Sequence, residues 1–156
     1  MNGEIAPSTT GRATHPVLLY DGVCGFCNRS VQFVLKRDPS AIFRFASLQS
    51  GLAQRVLARH GVDATDLNAA YVVLGCDPDG TDGGTETVLA RSEAVLYVAR
   101  ELGGIWKLGA RFLGVLPRGI RDRAYRIFAR HRYRVFGKYD SCPLPSTETQ
   151  ARFLDL

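Results

Sequence analysis

Apolar positions divide the chain into short runs that read as strands and longer stretches with helical spacing. Val17 to Tyr20 is a continuous apolar run, the mark of a buried strand, and it stops at the turn pair Asp21-Gly22. From Asn28 onward Val31, Val34 and Leu35 recur at helical spacing. Asp38-Pro39 closes that helix, because the residue before a proline avoids the α region. Ile42 to Ala46 alternates as a second strand, and Leu52, Val56 and Leu57 mark a short helix ended by His60-Gly61. Ala70 to Gly75 predicts a third strand. The turn-rich stretches 77–80 and 82–84 connect it to a fourth strand, Glu86 to Ala90, as a hairpin. Ser92 is placed to cap the next helix, which carries Val95, Leu96, Ala99 and Leu102 on its apolar face and ends at Gly103-Gly104. Ile105 to Leu116 has a helix-like pattern interrupted by Gly109 and Gly114. Pro117 then opens a further helix with Ile120, Ala124, Ile127 and Phe128 as its stripe.

Strand–helix–strand–helix–hairpin–helix is a β-α-β unit followed by a β-hairpin and a helix. The predicted class is therefore α/β: a thioredoxin-like four-stranded mixed sheet with helices on both faces, extended by a C-terminal helical segment at about 105–138. The 156 residues suit one domain, expected over 16–145, with a disordered tail at 1–15 and a second tail at 146–156. Thioredoxins place a cis-proline just before the third strand. Asp66 to Ala70 has no proline, so a backbone that pairs with a peptide substrate must here be built differently.

The chemistry concentrates where the first strand turns into the first helix, at Asp21-Gly22-Val23-Cys24-Gly25-Phe26-Cys27. Free N–H groups and the helix dipole stabilise a thiolate at a helix N-terminus, and the thiolate is the species that attacks disulfides. Cys24 is the candidate nucleophile and Cys27, one turn along, the thiol that resolves the mixed disulfide. Asp21 either caps the turn or handles the proton of Cys27, while its charge opposes ionisation of Cys24. Two other readings of the pair stay open. Cys24, Cys27 and Cys142, with a histidine, are candidate ligands of a structural zinc module, though no second Cys-x-x-Cys or His pair completes that pattern. The pair is also compatible with two inert buried thiols. Cys76 reads as a small core residue. Cys142, between Ser141 and Pro143, becomes a third redox thiol only if its loop folds back over the motif.

Composition adds limits. Hydrophobic residues make up 46% of the chain, and no apolar run approaches the length of a membrane span. Four cysteines are too few for a disulfide scaffold, which together with the absence of a secretory signal pattern predicts a cytoplasmic, reducing location. The net charge of +5 comes from one segment: residues 100–138 hold eleven Lys and Arg against Glu101 and Asp122. A solvated helix face is the default reading of such a run. No nucleic-acid motif appears, so no nucleic-acid partner is expected; contact with a membrane surface is a minor alternative. No organic cofactor is expected, and the expected partner is a protein or small-molecule disulfide or dithiol.

Taken together, these segments resemble the DCC family of thiol–disulfide oxidoreductases. The resemblance rests on Asp21 to Cys27, Asn28 to Phe33, Arg44 to Ser50, Arg91 to Ala94, Leu102 to Gly104, Ile120 to Asp122 and Arg132 to Lys138, followed by Cys142. It spans roughly residues 16–145 and implies a thioredoxin-like, mostly bacterial protein of disulfide exchange acting through Cys24 and Cys27.

Overall fold

The computed structural model describes residues 15–76, 86–140 and 145–154. The central strand is β1 (Val17–Tyr20), and all four of its residues are buried. It pairs in parallel with β2 (Arg44–Ser47) and antiparallel with β3 (Tyr71–Leu74), which pairs antiparallel with β4 (Thr87–Ala90). The strand order is therefore β2-β1-β3-β4. Alternation along β1 divides the core between two faces. Val17 and Leu19 pack with Leu52, Val56 and Leu57 of α2 (Gly51–Arg59). Leu18 and Tyr20 face the other way, onto Val31 and Val34 of α1 (Gly25–Arg37) and Ala94 of α3 (Ser92–Leu102). This is the thioredoxin-like mixed sheet with helices on both faces.

Three local expectations shift. The second strand starts at Arg44 rather than Ile42, because the Asp38 carboxylate accepts the N–H groups of Ile42 and Phe43, both at 3.0 Å, and holds them out of the sheet. Ser92 does not cap α3; Arg91 occupies the entry with a positive φ of 54°, and the Ser92 hydroxyl donates to Asp122 instead. The predicted pause at Gly109 is absent, since α4 (Gly104–Gly114) runs through it. Positive φ angles at Gly103 and Gly104 let α4 leave α3 without a loop.

The last long helix, α5 (Arg118–Phe136), has 19 residues and corrects the expected stripe. Ile120, Ile127 and Phe128 are exposed, whereas Ala129 and Arg132 are its buried residues. Tyr125 lies one turn before Ala129 on the same inward face, its hydroxyl oxygen accepting the Ala70 N–H. An arginine thus sits in the middle of the packed face. Residues after 145 dock on the sheet: Phe153 is buried and Leu154 donates its N–H to the Phe45 carbonyl at 2.8 Å. Among the described residues no helix is long and apolar enough to cross a membrane.

Candidate active site

Cys24 is the N-cap of α1, in extended conformation, and its sulfur accepts the Cys27 N–H at 3.2 Å. The Asn28 side-chain amide fixes the turn by donating to the carbonyls of Gly22 (2.7 Å) and Cys24 (2.9 Å). The two cysteines therefore lie one turn apart at the helix entrance, as their spacing predicts, and both are unlinked thiols. Their surroundings differ. Cys24 is fully covered, while Cys27 is half-buried.

The cover over Cys24 comes from the chain leaving α5. Gly25 donates its N–H to the Gly137 carbonyl at 3.2 Å, Tyr139 donates to the Val23 carbonyl at 2.7 Å, and Cys24 lies opposite Lys138 in an antiparallel bridge. This crossing explains the glycine inside the motif. A Cβ at Gly25 would stand 2.4 Å from the Phe136 carbonyl oxygen, closer than any side chain tolerates. Phe26 reinforces the contact, its ring 4.7 Å from that of Phe128 and 4.9 Å from that of Phe136.

Beneath the motif lies a buried polar cluster centred on Asp21. One carboxylate oxygen accepts the Val23 N–H (3.2 Å) and the Gln49 side-chain amide (2.9 Å). The other accepts the Arg132 guanidinium at 3.1 Å and the Tyr133 hydroxyl. Asp21 and Arg132 are 1% and 3% exposed, so this is a fully buried ion pair whose charges are compensated by each other and by hydrogen bonds. Arg132 also donates to the Leu67 carbonyl. The loop 66–70, which lacks a proline, is thus held from α5 by Arg132 at Leu67 and by Tyr125 at Ala70. Burial, with the hydrogen bond to Asp21, pushes the Tyr133 hydroxyl up to about 12, so Tyr133 remains a proton donor.

The same surroundings set the two thiols apart. Hydrogen bonding from the Cys27 side chain, helped by the Cys27 backbone N–H and the Arg132 cation, brings Cys24 down to about 6 against the opposing effects of burial and Asp21. Donation of its S–H to Cys24, then burial and the Cys24 charge, push Cys27 far up. One thiol is ionised near neutrality while its neighbour holds a proton.

Of the expected site residues, Cys24, Cys27 and Asp21 are brought into one cluster. Cys142 lies outside the described residues. Among the described residues no group of three or more His, Cys, Asp or Glu side chains could hold a metal ion. Arg132, Tyr133 and Gln49 escaped the sequence reading as site residues. Arg132 was absorbed into a charge run, although it follows Tyr125 and Ala129 at seven and three residues, on one helix face.

The family model described as DCC1-like thiol-disulfide oxidoreductase matches residues 18–138, which takes in the motif, the sheet and α5. The chain belongs to this family. An uncharacterized protein of Bacillus subtilis, YuxK, is 40% identical over 94% of this chain and 98% of its own length. A chloroplastic DCC family protein of Arabidopsis thaliana is 33% identical over 83% of this chain and 69% of its own length. No solved structure matches the chain. Membership supports a general thiol–disulfide oxidoreductase role.

Proposed function

We propose that this DCC family protein exchanges dithiol for disulfide through Cys24 and Cys27, with Cys24 as the attacking thiolate. The observation that carries the reading is geometric: two unlinked thiols lie one turn apart at the entrance of α1, with the Cys24 sulfur accepting the Cys27 N–H at 3.2 Å, an arrangement that lowers the pKa of Cys24 and raises that of Cys27. Cys24 attacks a substrate disulfide, forms a new S–S bond and expels one substrate thiolate. Cys27 then loses its proton and attacks the Cys24 sulfur, closing the Cys24–Cys27 disulfide and releasing the second substrate thiolate. Its acidity rises toward normal in that step, because the Cys24 thiolate that held its proton has been consumed. The substrate disulfide gains two electrons and the enzyme dithiol loses them. In this scheme the Gly137–Tyr139 crossing, held by its two backbone hydrogen bonds, moves aside to admit a disulfide to Cys24. Asp21 acts through its charge and through its hold on Arg132, and accepts the Cys27 proton only by releasing one of its present donors.

The test is a trapping assay. Cys27→Ser accumulates mixed disulfides at Cys24, and Cys24→Ser traps few. Equal inertness of the two variants ends this reading.

A further inference from the structure

An apolar cavity reaches one member of the dithiol, Cys27. It holds about 590 Å³, between α1, α3, α4 and α5, within the range of small-molecule sites. Its wall is mainly apolar side chains, among them Val34, Ala94, Val98 and Leu102. Arg29 and Ser30, with Cys27, Tyr125 and Arg132, contribute polar groups to its lining, whereas Cys24 takes no share in it. Exposed members of the wall, Val95, Trp106 and Phe128, mark where it meets solvent. The Trp106 ring stands edge-on to Phe33 at 4.9 Å, so part of this mouth is fixed by packing.

With the crossing in place, the backbone edge beside the dithiol is closed to an extended peptide. Pairing with a substrate strand needs free N–H and C=O groups next to the motif. Those of Val23 and Gly25 are already bonded to Tyr139 and Gly137. What remains open is a hydrophobic chamber with one sulfur, that of Cys27, in its wall.

We propose that this cavity binds a small apolar thiol, which reduces the Cys24–Cys27 disulfide by attacking the Cys27 sulfur. The inference rests on the exchange reading above and supplies its other half, the return of the disulfide to the dithiol. The apolar thiolate forms a bond to Cys27, the Cys24–Cys27 bond breaks, and its electron pair leaves on Cys24. Cys24 is the favoured leaving group because the lower-pKa thiol departs faster. A second molecule of the thiol, as its thiolate, attacks the substrate sulfur of the mixed disulfide. The Cys27 thiolate leaves and takes up a proton. Two thiols become one small disulfide, and the enzyme disulfide becomes a dithiol.

The experiment uses the full chain, oxidised to the Cys24–Cys27 disulfide, with 1-propanethiol and 1-hexanethiol compared at equal concentration. The two thiols share a sulfur chemistry and differ in apolar length. Three added methylenes at about 0.8 kcal/mol each set a ceiling of roughly 60-fold in rate, and an advantage of at least about 10-fold is expected for hexanethiol. Val98→Phe narrows the chamber and brings the hexanethiol-to-propanethiol ratio towards one. Unreactive 1-octanol, added to the unaltered protein, lowers the same ratio without any substitution. Equal rates for the two thiols, or a hexanethiol advantage that survives both Val98→Phe and octanol, overturn the cavity assignment while leaving the exchange reading standing. Failure of Cys24 and Cys27 to form a disulfide that any thiol reduces overturns both.

Discussion

Two aspartate–arginine pairs bracket α1, one fully buried and one with a half-buried arginine, and they serve different ends. Asp21 precedes the helix and pairs with Arg132 of α5; Asp38 caps its far end and pairs with Arg152 near the end of the described chain. Each carboxylate also accepts backbone N–H groups, Val23 for Asp21, Ile42 and Phe43 for Asp38. Each joins a segment more than a hundred residues away to the same helix. The chemistry is the same, and the neighbours decide its use. Around Asp38 the partners are backbone carbonyls and the Phe45 ring, which lies 5.3 Å from the Arg152 guanidinium. Around Asp21 the neighbours are the two thiols, and both charges of the pair bear on them, the arginine favouring ionisation and the aspartate opposing it. A structural ion pair thus becomes a means of tuning reactivity through its location alone.

Breaking each pair tests this contrast most strongly. Asp21→Asn leaves the buried Arg132 without its counter-charge, at a cost of about 3–5 kcal/mol in unfolding free energy; Asp38→Asn costs less, because Arg152 is half-buried and reaches solvent. Denaturant titration measures that loss. Ultraviolet titration of the thiolate separates the two: Asp21→Asn takes Cys24 below its value near 6, and Asp38→Asn leaves it in place. Arg132→Gln moves Cys24 in the opposite direction, towards an ordinary thiol, because the aspartate remains while the favourable cation is gone. A shift of Cys24 in the Asp38 variant, or none in either member of the other pair, removes the distinction.

A pH series sharpens it. The Cys24 thiol is more acidic folded than unfolded, where it titrates at about 8.5. Its ionisation therefore stabilises the reduced fold fully above that unfolded value, and the contribution falls away as pH drops through about 6. The stability gap between the reduced protein and Cys24→Ala narrows over that interval; a gap that widens as pH falls contradicts the assigned acidity. A smaller effect is expected from Gly25→Ala. Its Cβ meets the Phe136 carbonyl, so the crossing must shift, at about 1–3 kcal/mol. Alkylation of Cys24 by iodoacetamide becomes faster as its cover loosens, and an unchanged rate shows that the crossing does not control access.

Much of this protein was legible in the order of its residues. A strand, a turn and a helix are local patterns, so Val17 to Leu35 displays the Cys24 N-cap directly, and periodicity carries the sheet strands and most helices. The redox motif is likewise local. The sequence was misleading where a long-range partner overrode a local preference. Ser92 is a good cap by type, yet its hydroxyl is drawn to Asp122 thirty residues on. Ile120 and Ile127 form an apolar stripe by spacing, yet α5 buries the face with Tyr125, Ala129 and Arg132, because Asp21 offers that arginine a counter-charge and Leu67 a carbonyl.

Sequence alone determined the two thiols, their helical spacing and the strand and helix that flank them, since each depends on neighbours a few residues away. Only the tertiary structure decided which thiol is covered, which faces the cavity, and which arginine is buried beside them. Those properties arise where α5 and the residues after it return to the first helix, and contacts between segments a hundred residues apart leave no periodic trace in either one.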